Sequence, residues 1–241
     1  MNIIKYDNDQ TILFVSGMFA GDWIWSRCEK QIAGKNHLVM ADSLCSISHS
    51  FDQLVSEIVT NTSFYQKKIT LVGSSLGGML SLAVAREIPE KIEQVLIAGT
   101  AGFGKVDLQI KLKPSRADLI ASEIMTMVCH DQSMQSQSDN HSVANEFRNH
   151  MRKIIGLIRD SNAIDGEAML KSVKCPVHAI WGEHDTITPV STVEGIFARL
   201  NLPLTVLKGC GHCPMYEQPA AFSAWVNACL AKSSQQLIEA A

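Results

Sequence analysis

Short apolar runs rich in Val, Ile and Leu alternate along this chain with longer stretches of helical period. The runs Thr11–Val15, Leu38–Met40, Lys68–Val72, Gln94–Ala98, Val177–Trp181 and Leu204–Leu207 predict strands. Between them the helical period predicts helices over Trp25–Ala33, Phe51–Asn61, Leu76–Glu87, Thr192–Leu200 and Pro219–Leu230. Strands that are apolar on both faces and separated by helices must be buried on both sides. The expected fold class is therefore α/β: a three-layer sandwich around a mostly parallel sheet.

The alternation breaks once, from about residue 101 to residue 174. That segment shows no strand pattern, only helical stretches near Asp118–Cys129, Val143–Arg159 and Asp165–Ser172. Between the first two lies HDQSMQSQSDNHS, a polar low-complexity run that predicts a mobile loop. The expected organisation is an α/β core built from residues 1–100 and 175–241, with residues 101–174 inserted as a helical cap over the carboxyl edge of the sheet. No internal repeat is present.

Composition narrows the function classes. A chain of 241 residues, 46% of them hydrophobic, can bury one sizeable core. A formal charge of −3 leaves no basic excess to neutralise a phosphate backbone, so nucleic acid is not an expected partner. The opening MNIIKYDNDQ lacks the charged start and apolar run of a secretory signal, and the apolar runs fall short of a membrane span. A soluble cytoplasmic protein is expected. The seven cysteines, Cys28, Cys45, Cys129, Cys175, Cys210, Cys213 and Cys229, are odd in number and scattered through apolar segments, which predicts reduced, packed thiols.

The candidate chemistry begins after the third predicted strand. Gly73-Ser74-Ser75-Leu76-Gly77 stands between that strand and a helix, the context of a GxSxG nucleophile elbow. Small flanking residues let the turn hold its central residue in a strained conformation, which pushes Ser75 rather than Ser74 out at the top of the sheet. A phosphate-binding loop would carry a lysine after the glycines, where Met79 stands instead.

A serine hydroxyl needs a base, and the base needs an orienting group. Asp185 follows the strand at Val177–Trp181, and His212 follows the strand at Leu204–Leu207, so all three side chains fall at carboxyl strand ends. The chain order Ser75, Asp185, His212 is that of one triad lineage. Neighbouring Glu183 and His184 are the alternative candidates and are expected to face solvent.

His212 lies inside Cys210-Gly211-His212-Cys213, which spells a disulfide-isomerase motif. A redox CxxC opens a long helix after an early strand. This one lies near the carboxyl end with Pro214 directly behind it, so the histidine carries the meaning. A zinc site from Cys210, His212 and Cys213 would need a second ligand pair at matching spacing, which the chain lacks, so no metal is expected.

These motifs resemble the α/β-hydrolase superfamily over nearly the whole chain. The resemblance is carried by FVSGMFAGDWIW at 14–25, VGSSLGG at 72–78, WGEHDTITP at 181–189 and GCGHCPMYEQP at 209–219. The spacing of Gly17, Gly21, Trp23 and Trp25 is similar to that of small plant-type methyl esterases and hydroxynitrile lyases and their bacterial relatives.

The resemblance implies an oxyanion hole made by the backbone N–H groups of Leu76 and Met18. Such donors are worth about 3–4 kcal/mol each in the transition state. Relatives carry His-Gly where this chain reads Ser16-Gly17. The backbone donor survives that change; the adjoining pocket, including Ser16, is expected to differ. Trp23 and Trp25 are expected to pack beneath the loop, with Trp23 also a candidate substrate contact.

The cap should select the substrate. On Phe147–Arg159, Phe147, Met151, Ile154 and Ile158 form an apolar stripe beside Arg148, Arg152 and Arg159. Met151 with Arg148 and Arg152 are therefore candidate substrate contacts, the guanidinium groups for a carboxylate, a coenzyme A phosphate or an acidic carrier protein. The alternative is a solvated helix face.

The expected function is serine hydrolysis of a carboxylic ester through an acyl-enzyme, without metal or organic cofactor. With only 6% aromatic residues, small or aliphatic acyl groups are favoured. A thioesterase acting on acyl-coenzyme A or acyl-carrier protein, a lyase or carbon–carbon hydrolase in the same pocket, and a non-catalytic ligand receptor are the alternatives.

Overall fold

The computed structural model describes residues 11–33, 36–40, 42–63, 65–106 and 113–239, with side chains to residue 232 except that of Asn36. Six strands, β1 (Thr11–Val15), β2 (Asn36–Val39), β3 (Ile69–Ser74), β4 (Ile92–Ala98), β5 (Val177–Gly182) and β6 (Leu204–Leu207), form a single sheet in the order β2-β1-β3-β4-β5-β6. Every pairing is parallel. β1 and β3 are buried along their whole length, the burial expected of strands covered on both faces.

The chain runs from β1 outward to β2 and returns to β3 on the other side of β1. The carboxyl ends of β1 and β3 therefore flank the point where the winding reverses, the crevice in which open α/β sheets bind ligands.

The helices are α1 (Leu44–Ile47), α2 (Phe51–Thr62), α3 (Leu76–Glu87), α4 (Ala117–Val128), α5 (Gln137–Ser161), α6 (Gly166–Ser172), α7 (Glu194–Arg199), α8 (Pro214–Glu217) and α9 (Pro219–Glu239). α3 is the central one, with Leu76 to Ala85 buried against the sheet without a break. As expected, the excursion between β4 and β5 holds only helices among the described residues: α4, α5 and α6, with α4 and α5 packed on one another.

Two expectations are corrected. Trp25–Ala33 is not an α-helix but part of two 3-10 turns, Asp22–Trp25 and Glu29–Gln31. Trp25 and Cys28 are fully buried, and an apolar spacing of three fits a 3-10 turn as well as an α-helix. The bonds decide: Cys28 N–H donates to Trp25 O at 3.0 Å and Gln31 N–H to Cys28 O at 2.9 Å.

The polar run 130–142 is also more ordered than its composition predicts. Gln132–Met134 forms a 3-10 turn, and α5 starts at Gln137 because Ser136 Oγ accepts the Asp139 N–H at 3.1 Å, an N-cap inside the polar run. The core completes the ordering. Arg27 Nη2 donates to Met134 O at 2.9 Å, and Tyr216 Oη donates to Asp139 Oδ2 at 2.6 Å.

Candidate active site

Ser75 occupies the junction of β3 and α3 with φ 53° and ψ −122°, a left-handed conformation that costs an L-residue energy and persists only where its surroundings over-determine it. They do. The Ser75 N–H donates to Ala98 O at 2.9 Å, and Ser75 O accepts from Gly78 N at 3.1 Å and Ala101 N at 3.2 Å. The turn is also tight enough to demand glycine: a Cβ on Gly77 would strike the carbonyl oxygens of Val15 and Ser16. That close approach presses the start of α3 against the end of β1.

Asp185 and His212 come from loops after β5 and β6, far apart in sequence, and meet with His212 Nδ1 2.9 Å from Asp185 Oδ2. They are 5% and 4% exposed, so the pair is shielded from water. Asp185 Oδ1 accepts the Ile187 and Thr188 N–H groups, each at 2.9 Å, and Oδ2 also accepts the Thr188 hydroxyl at 2.8 Å. A carboxylate facing Nδ1 holds the proton on that nitrogen and leaves Nε2 as the acceptor of a neutral imidazole. Gly99, at φ +50°, gives the pair its room: a Cβ there would lie 3.1 Å from His212 Nδ1 and 3.2 Å from Asp185 Oδ2.

Thr188 is a member of this network that sequence reasoning did not name. Its hydroxyl lies within reach of Asp185 Oδ2, of Gly99 O at 3.1 Å and of His212 Nδ1 at 3.3 Å. The only signal was its place three residues after Asp185, a spacing at which a carboxylate can fold back on its own turn.

Ser75 and His212 open onto one cavity of about 80 Å³. Met18, Phe19, Trp23 and Leu76 line it from the core, and Ile124, Met125, Val128, Val143 and Ile158 line it from the helical excursion. Among the described residues the lining contains no Asp, Glu, Lys or Arg. Neither the Met18 nor the Leu76 backbone N–H has a hydrogen-bond acceptor among the described residues, so two free donors stand at the wall that carries Ser75.

The other candidates lie elsewhere. Ser16 is not a lining residue: its hydroxyl accepts the Trp25 Nε1–H at 2.8 Å and donates to Gly21 O at 3.0 Å, which braces the 16–21 loop. Met151 is buried in the α5 core face and also lies outside the lining. Arg148 and Arg152 are exposed and absent from it, and Arg148 pairs with Asp118. Of the methionines between residues 101 and 174, Met125 reaches the cavity. Glu183 and His184 are exposed, with the His184 ring stacked on that of His130.

All seven cysteines are free thiols. Burial pushes Cys210 up to about 12 and holds Cys213 well above the usual thiol range, so neither is poised as a thiolate. Among the described residues, no group of three or more His, Cys, Asp or Glu side chains is arranged to hold a metal ion.

Comparison with known proteins bears on the family and the fold. The family model described as "Alpha/beta hydrolase family" matches residues 12–225. The chain is similar to monoacylglycerol lipase abhd6-B of Xenopus laevis, 24% identical, with 89% of this chain and 73% of that protein covered. It is similar to the pimeloyl-[acyl-carrier protein] methyl ester esterase of Aromatoleum aromaticum, 25% identical over 61% of this chain and 68% of that one. Its fold is that of a crystallised bacterial membrane phospholipase A, with a TM-score of 0.79 at 18% identity, over 96% of this chain and 82% of that structure.

Proposed function

The chain belongs to the alpha/beta hydrolase family, and from that premise we propose that it is a serine hydrolase that cleaves carboxylic esters of uncharged, aliphatic acyl groups. The observation that carries this reading is the buried Asp185–His212 pair at 2.9 Å opening, with Ser75, onto a cavity whose lining, among the described residues, holds no ionisable side chain other than His212 and Cys213. Residues 101–174 act in this reading as a cap over a core of 1–100 and 175–241. The names of the lipase and esterase relatives support the ester class.

The residues take the following roles. His212 Nε2 removes the Ser75 hydroxyl proton as Oγ attacks the acyl carbon. Asp185 holds the Nδ1 tautomer and stabilises the imidazolium that forms. The oxygen of the carbonyl becomes an oxyanion that accepts from the free Met18 and Leu76 N–H groups. Collapse of the tetrahedral species expels the alcohol, which leaves with the proton from His212. A water, deprotonated in turn by His212, hydrolyses the acyl-Ser75 ester and releases the acid.

The neutral lining argues for an ester and against an acyl-coenzyme A or an acidic carrier as the bound partner. Burying an unpaired anion there would cost several kcal/mol, and Arg148 and Arg152 stand outside the cavity. The test is labelling with a fluorophosphonate followed by peptide mapping, together with hydrolysis of nitrophenyl acetate and octanoate. The adduct is expected on Ser75, and Ser75→Ala is expected to lose labelling and at least about 10³-fold in kcat. Undiminished hydrolysis by Ser75→Ala would overturn the reading.

A further inference from the structure

Glu217 is a buried carboxylate, 7% exposed, that the mechanism above does not use. Its Oε1 accepts the Gly211 N–H at 2.8 Å, and its Oε2 accepts the N–H groups of His130 at 2.7 Å and Asp131 at 3.1 Å. Three backbone donors from two separate segments therefore converge on one side chain. One segment is the loop that carries His212; the other is the chain leaving α4.

The junction around Glu217 is stitched at further points. The His212 N–H itself donates to Val128 O, the last residue of α4, at 2.9 Å. Thr186, next to Asp185, donates its hydroxyl to Met127 O at 3.1 Å. Gly211 permits the approach, since a Cβ there would lie 2.7 Å from His130 N and 2.8 Å from Glu217 Oε1. Only an ionised carboxylate presents two oxygens that accept three N–H bonds without offering a donor of its own. An amide at this place would aim its NH₂ at a backbone N–H and leave a buried donor unpaired.

The other end of this junction faces the cavity. Ile124, Met125 and Val128 of α4 form part of its apolar wall, so whatever fills the cavity packs on the helix whose terminal carbonyl holds His212. We propose that Glu217 is a positioning residue that locks residues 127–131 to the 209–213 loop, so that an acyl chain packed on α4 sets the orientation of the His212 imidazole. The proposal rests on the reading of Ser75 and His212 as nucleophile and base.

The test is Glu217→Gln with two independent readouts. By hydrogen exchange, segments 127–131 and 209–213 are expected to lose protection together, by about tenfold or more, while β1 and β3 keep theirs. In kinetics, kcat for nitrophenyl octanoate is expected to fall about tenfold or more at nearly constant KM, with a much smaller loss for the acetate ester, whose chain is too short to press on α4. Glu217→Asp, which retains the charge, is expected to restore part of both signals, and it stands in if the glutamine variant is too unstable.

Unchanged exchange in the two segments, loosening of 209–213 alone, or an equal loss of kcat for both esters would overturn the proposal. If the wild-type protein hydrolysed neither ester, the functional reading would fail while the exchange measurement still decided the role of Glu217.

Discussion

The loops at the strand ends and the helices between β4 and β5 both carry charged side chains, and they use them in opposite ways. At the strand ends Asp185 and His212 are buried and bonded to each other, with three further donors on the carboxylate. On the helices, Arg148 and Asp118 also meet, but with side chains 36% and 76% exposed. Water screens the second pair, which therefore adds little to stability. It is excluded from the first, where orientation and charge act at full strength. What the helices bring to the cavity is their uncharged side: Ile124, Met125, Val128, Val143 and Ile158.

The division of labour can be broken in three places. The largest effect is expected at the buried pair: Asp185→Asn leaves the shape intact but presents the wrong tautomer of His212 to Ser75, and kcat should fall by about 10⁴-fold with the fold retained. Steady-state kinetics with thermal melting checks this, and a loss below tenfold would separate Asp185 from the chemistry. Filling the apolar wall comes next. Ile124→Trp should lower kcat/KM for nitrophenyl octanoate by about 10- to 100-fold relative to the acetate ester, since the pocket discriminates chain length through occupied volume. An unchanged octanoate-to-acetate ratio would show that acyl chains do not use this wall. The smallest effect is expected at the exposed charges: Arg148→Ala and Arg152→Ala should leave kcat/KM for both esters within about twofold. A large loss confined to anionic substrates would restore the arginines as contacts.

Much of the fold was legible because strand and helix periods are local properties. β1 and β6 have the predicted bounds, Thr11–Val15 and Leu204–Leu207, and α3 runs over Leu76–Glu87 as expected. Strand ends were less legible: β3 extends two residues past the predicted Val72, to Ser74, because Gly73 and Ser74 pair with Ile97 and Ala98 of a strand whose position the local pattern does not carry. The stretch at Trp25–Ala33 failed because its apolar spacing fits two kinds of helical turn. The polar run 130–142 failed because Arg27 and Tyr216, remote in sequence, bond to it.

The candidate site divides in the same way. Ser75, Asp185 and His212 stand on motifs whose glycines, prolines and strand ends announce a turn at the edge of a sheet, so the chain itself singled them out as candidates. The bracing by Ser16, the Thr188 contacts, the Glu217 junction and the outward turn of Arg148 and Arg152 were settled only when distant segments packed. The physical reason is range. Backbone preference and apolar period act over a few residues and can be read in a line. Which polar group is left without water, and what then satisfies it, depends on neighbours that only the folded chain brings near.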